Sequence, residues 1–167
     1  MNCQNCGAPM QPVHAGDHFY CEYCTSFYFP KENLDGVRLI GEPAQVECFF
    51  CKLPLYVASI GGIRILTCEH CKGILVPQPS FLTMVNYLRG VAGSAEFPFR
   101  PIDPQELRRR IMDCPQCKQA MDTHPYYGPG NVVIDVCPRC RVIWLDYSEL
   151  YKIINSPGHD RGRLRRD

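Results

Sequence analysis

The chain has 167 residues, with 18 lysines and arginines against 17 aspartates and glutamates, a formal net charge of +1. That balance leaves no surplus of basic residues for sequence-independent nucleic-acid binding, and no run approaches the ~20 apolar residues of a membrane-spanning helix. Twelve cysteines, not the charges, are the feature to explain.

All twelve fall into Cys-x-x-Cys pairs: Cys3/Cys6, Cys21/Cys24, Cys48/Cys51, Cys68/Cys71, Cys114/Cys117 and Cys137/Cys140. Taken two at a time they make three blocks, with 14, 16 and 19 residues between the pairs of each block. A Cys-x-x-Cys turn points two sulfurs at one ion, and two such turns joined by a hairpin close a tetrahedral shell. A disulfide framework has no need of one repeated short spacing. The first six residues contain neither a basic n-region nor an apolar h-region, so the expected setting is the reducing cytoplasm. The expected cofactors are three structural Zn²⁺ per chain. Rubredoxin-like iron uses the same ligands and stays open, whereas a thioredoxin-type redox pair lacks its βαβ context. Twelve thiolates and three dications move the formal balance from +1 to −5.

Each block repeats one plan. After the first pair comes a small residue or proline and then an apolar one: Pro9-Met10, Pro54-Leu55, Ala120-Met121. A strand-like run precedes the second pair: His18-Phe19-Tyr20, Ile63-Arg64-Ile65-Leu66, Val132-Val133-Ile134. An apolar triplet follows it at a fixed offset: Phe27-Tyr28-Phe29, Ile74-Leu75-Val76, Ile143-Trp144-Leu145. The pattern predicts a β-hairpin carrying the metal turns, a third strand from the triplet, and Met10, Leu55 and Met121 packed upon it. Blocks this short cannot bury a self-sufficient core, so the apo chain is expected to be largely unfolded.

In chain order the expected units are ribbon one (1–40), ribbon two with a C-terminal helix (45–90), a linker with a short basic helix (91–111), ribbon three (112–156) and a basic tail (157–167). The fold class is small, metal-dominated and mainly β with short helices, a tandem array of three four-cysteine zinc ribbons. After block one, Asn33-Leu34-Asp35-Gly36 reads as a turn. After block two, Phe81, Met84, Val85 and Leu88 have helical spacing, with Gly90 as the stop. In the linker, Asp103 caps a helix bearing Arg108, Arg109 and Arg110, whose arginines read as a solvated face or an anion-binding patch. After block three, Asp146 and Glu149 read as a capping box for a helix with Leu150, Ile153 and Ile154 on one face.

Block three, with Cys114-Pro115-Gln116-Cys117, Met121, Val133-Ile134-Asp135-Val136-Cys137-Pro138-Arg139-Cys140, Ile143-Trp144-Leu145-Asp146 and Glu149-Leu150, resembles the bacterial zinc-ribbon family named after transcription factor IIB (TFIIB-type zinc finger). The likeness covers about residues 112–154. Blocks one and two share only the generic ribbon plan. Tyr147-Ser148 departs from the pattern, because a glycine is usual just before Glu-Leu. The resemblance implies zinc binding and a role in nucleic-acid or protein contacts.

Residues 123–131 form the expected hairpin tip of block three. They read either as a structured turn or as a recognition loop presenting His124, Tyr126 and Tyr127. Trp144 reads as a packing residue or a partner anchor. His70 sits inside a metal turn and is expected to face solvent or a backbone carbonyl. No nucleophile–base set, phosphate-cradling loop or carboxylate pair stands out, and closed four-sulfur sites leave no position for substrate. The expectation is a non-enzymatic protein–protein interaction module or accessory subunit with no small-molecule substrate. Nucleic-acid binding is the alternative, and rubredoxin-like electron transfer a third.

Overall fold

A computed structural model describes residues 1–13, 18–92, 101–102 and 111–158. The expected helix at 103–111, with Arg108, Arg109 and Arg110, and the basic tail lie wholly or mostly outside the described residues.

The first ribbon is a three-stranded antiparallel sheet: β1 (Gln11–Val13), β2 (His18–Tyr20) and β3 (Phe27–Tyr28). Its core is small, with Cys3, Met10, Phe19 and Cys21 buried and Tyr28 against them. The predicted turn follows. Leu34 and Asp35 lie at its corner, and the Asn33 carboxamide accepts the N–H groups of Asp35 and Val37. That side-chain mimic of a backbone turn is what asparagine favours.

The other two ribbons share one seven-stranded sheet. Its strands are β4 (Arg38–Glu47), β5 (Pro54–Ile60), β6 (Ile63–Thr67), β7 (Ile74–Pro77), β8 (Asp122–Pro125), β9 (Val133–Cys137) and β10 (Val142–Leu145). The spatial order is β4-β5-β6-β7-β10-β9-β8. β4 spans the end of the first expected unit and the start of the second, and pairs with β5.

The join is made by the two triplets. β7 and β10 run antiparallel with Leu75 opposite Trp144, Ile74 opposite Leu145 and Val76 opposite Ile143. Equivalent residues therefore meet about a local pseudo-twofold axis, the arrangement of an isologous dimer inside one chain.

A helix follows each of these strands. α1 spans Gln78–Ala92 and α2 spans Glu149–Asn155. Gly90 does not stop α1. It lies exposed in the last turn, where the ~1 kcal/mol cost of a helical glycine is tolerable once packing holds the helix. Phe81, Met84 and Val85 of α1, and Leu150 and Ile153 of α2, cover Ile74, Val76, Ile143 and Leu145 on one face of the sheet. The opposite face carries a second cluster, in which Leu55, Leu75, Met112, Met121, Val142 and Trp144 pack with cysteines of both metal blocks. Among the described residues, no helix is long and apolar enough to cross a membrane.

α2 is held at both ends by distant residues. At its N-terminus the buried Asp35 carboxylate accepts the backbone N–H groups of Ser148 and Tyr151, both at 2.8 Å. At its C-terminus the Arg89 guanidinium donates to the carbonyls of Ser156 (3.0 Å) and Gly158 (2.8 Å). Both charges suit the helix dipole. Half of the predicted capping box forms, since Glu149 accepts the Asp146 N–H. The Asp146 carboxylate instead accepts the Trp144 indole N–H at 2.8 Å. Burial lifts the Asp35 carboxyl above its ordinary range, opposed by the two N–H bonds and by the charge of Lys152. Asp35→Ala leaves two helix N–H groups without their acceptor and is expected to cost about 1–3 kcal/mol. Denaturant unfolding of the zinc-loaded variant checks this, and an unchanged midpoint would refute the capping role.

The departure at Tyr147-Ser148 falls where it matters. Ser148 adopts φ 73°, and its side chain makes no capping bond. The family glycine would enter that left-handed conformation freely. Ser148→Gly is therefore expected to stabilise the fold by about 0.5–1 kcal/mol, the steric relief less the extra chain entropy of glycine. A thermal melt reads the sign.

Candidate metal centres

Each Cys-x-x-Cys forms the same backbone knuckle. The residue after the second cysteine is left-handed in all six: Gly7, Thr25, Lys52, Lys72, Lys118 and Arg141, with φ between 54° and 74°. In five of them its N–H donates to the carbonyl of the first cysteine, at 2.8–3.0 Å. The first cysteine's N–H in turn reaches a carbonyl five residues on, at 2.7–2.9 Å. Only the first knuckle uses glycine. The other five hold a side-chain-bearing residue in a conformation costing about 1–2 kcal/mol each, which is tolerable where a metal ion supplies about 10–16 kcal/mol.

The knuckles bring the cysteines together in three clusters: Cys3, Cys6, Cys21 and Cys24; Cys48, Cys51, Cys68 and Cys71; Cys114, Cys117, Cys137 and Cys140. Within each, all four sulfurs lie within 4.8 Å of one another. Cys3–Cys24 and Cys6–Cys21 lie 3.5 Å apart, and Cys48–Cys71 and Cys117–Cys137 3.7 Å. Tetrahedral Zn–S bonds of about 2.3 Å set sulfurs about 3.8 Å apart, whereas a disulfide needs about 2.05 Å. All twelve are free thiols. The donor sets fit three structural zinc ions, with four soft ligands and no open position.

In each cluster one thiol is held below its ordinary value. The Ser26 hydroxyl holds Cys24 down to about 6. The Gln119 N–H holds Cys117 down to about 7. Burial pushes Cys68 up, but the N–H groups of Cys71 and His70 outweigh it and leave that thiol below its ordinary value. A thiolate that accepts hydrogen bonds is a ready metal ligand.

Two outer partners were not legible in the sequence. His70 is exposed to solvent, as expected, and its Nδ1 also lies 3.4 Å from the Cys51 sulfur. Ser26 lies 3.2 Å from the Cys24 sulfur and accepts the Asn5 amide at 2.7 Å. The His70–Cys51 and Asn5–Ser26 contacts arise only when two knuckles meet, whereas Ser26 reaches Cys24 from two residues away in its own knuckle.

The candidate partner residues separate. Trp144 is fully buried between the second and third centres, so it packs the core and cannot anchor a partner in the folded chain. Tyr126 is also buried, edge-on to Phe81 of α1 at 5.6 Å, and fixes the hairpin tip to the helix. His124 is half-buried and stacks on Tyr127 at 5.8 Å, and Tyr127 is exposed.

Fold and donor sets together define a zinc-ribbon metal-binding protein. Within that class, residues 113–156 match the family model described as a transcription factor zinc-finger, the TFIIB-type zinc ribbon. The matched stretch contains β8, β9, β10 and α2, the third ribbon complete. No curated protein and no solved structure matches the chain.

Proposed function

We propose that the chain is a non-enzymatic zinc-ribbon scaffold that binds protein, as an interaction module or accessory subunit of a larger assembly. The observation that carries this is the outer face of the first ribbon. Phe27 and Phe29 are 60% and 58% exposed, while their equivalents Ile74, Val76, Ile143 and Leu145 are buried under α1 and α2. No helix follows the first ribbon, so two aromatic rings stand uncovered on a metal-fixed sheet. His18 and Tyr20 flank them, with ring centroids 4.9–5.5 Å away. Rigid exposed aromatics of this kind are what interface centres are made of. Closed four-sulfur shells support a structural role for zinc without catalysis.

In-cell cross-linking with the zinc-loaded chain and with its Phe27→Ser/Phe29→Ser variant tests the reading. A partner retained by the first and lost by the second is expected; identical partner sets would sink it. The family description supports nucleic-acid binding as a second reading. Electrostatic affinity is greatest at low salt, so absence of DNA and RNA binding there removes it. A colourless purified protein removes the iron carrier.

A further inference from the structure

Three equivalent strands follow the second cysteine pairs, and two of them have found each other. β7 and β10 pair through identical offsets, so that the central residues face and the outer residues cross. β3 pairs with β2 on one side and, among the described residues, with no strand on the other. An odd number of ribbons leaves one pairing edge over.

We propose that β3 pairs with β3 of a second copy of this chain, antiparallel about a two-fold axis through Tyr28, in the register that β7 and β10 already use. This rests on the reading of the chain as an interaction module and names the partner of one surface. An isologous contact needs a strand complementary to itself, and the triplet Phe27-Tyr28-Phe29 is a palindrome. In that register Phe27 of one copy lies opposite Phe29 of the other, twice. Cross-strand aromatic pairs are among the stabilising ones in sheets. Ser26 stands where Gly73 and Val142 stand in the other ribbons, a small side chain whose hydroxyl is turned to Cys24 and the Asn5 amide. The triplet itself carries no charged residue to prevent pairing, and Pro30 and Lys31 beyond it limit the length. Three residues per copy bury little area, so the dimer is weak and reversible.

Sedimentation equilibrium of the pure zinc-loaded chain, at rising concentration, is the test. A reversible monomer–dimer equilibrium is expected. Phe27→Glu with Phe29→Glu sets like charges opposite one another and is expected to weaken it by more than about tenfold. Phe27→Lys with Phe29→Glu is expected to restore it, because the register places each new ammonium opposite a new carboxylate. Zinc content of each variant confirms that it folds. A chain monomeric at every concentration overturns the proposal, as does a charge-paired variant no better than the double glutamate. A monomer that still loses a foreign partner on Phe27→Ser/Phe29→Ser overturns self-pairing and leaves the interaction-module reading standing. A dimer that cross-links to no foreign partner does the reverse.

Discussion

Replacing Cys114 and Cys117 by serine is expected to lower bound zinc from three ions to one, not to two. The second and third centres are not independent. Cys48, Cys68, Cys114 and Cys137 lie in one buried cluster with Leu75, Met112, Val142 and Trp144, and the two ribbons share a single sheet through β7 and β10. A structural zinc contributes about 10–16 kcal/mol, as much as the about 5–15 kcal/mol by which a whole domain is usually stable. Losing one ion therefore removes the fold that presents the other site. Cys3→Ser with Cys6→Ser should behave differently. The first ribbon has its own small core, so zinc falls from three to two and the seven-stranded sheet persists. Elemental analysis with circular dichroism separates the two cases. If the third-ribbon variant keeps two zinc ions and its sheet signal, the shared-core account is wrong. Chelation of all three ions is expected to unfold the chain, as the sequence already suggests, and a surviving thermal transition would refute that.

Gly73→Ala is expected to destabilise the protein by about 3 kcal/mol or more, at the upper end for overpacking. A Cβ at that position would lie 2.1 Å from Cζ2 of Trp144 and 2.8–2.9 Å from two further ring atoms. The indole is fully buried and tied to Asp146, so it has nowhere to go. The reason lies in the pseudo-symmetric join. Trp144 crosses the axis onto the second ribbon, where the smallest residue receives it, while the smaller Leu75 shares the cluster with the larger Val142. The double variant Gly73→Ala/Trp144→Leu should cost much less than the two single changes added together, because the clash vanishes with the ring. Denaturant unfolding of the four proteins in this cycle measures the coupling. Strict additivity would mean that the two residues do not meet.

The metal centres and strands were legible because they are written locally. A Cys-x-x-Cys pair commits its own backbone to a knuckle, and hydrophobic runs between pairs commit theirs to strands. His18-Phe19-Tyr20 became β2, Ile63 to Leu66 fell within β6, the second and third triplets became third strands, and Phe27 and Tyr28 of the first became β3. Met10, Leu55 and Met121 lie in the cores predicted for them. Gly90 misled because a glycine near a helix end costs little once apolar neighbours hold the helix down. His70 lies exposed as expected, and what the sequence did not show is its contact with a sulfur 19 residues away.

By itself the sequence determined three tetrathiolate metal centres, the hairpins that carry them and the helices after the second and third. Its repeat also placed Trp144 in register with Leu75. That these two residues face each other across one sheet, that Asp35 caps a helix 113 residues on, and that the first ribbon keeps its aromatic face uncovered were decided only by the tertiary structure. The physical reason is range. Metal turns and strands are fixed by side chains a few residues apart. Which edge pairs with which, and which face is left to solvent, depends on surfaces that exist only after each ribbon has folded.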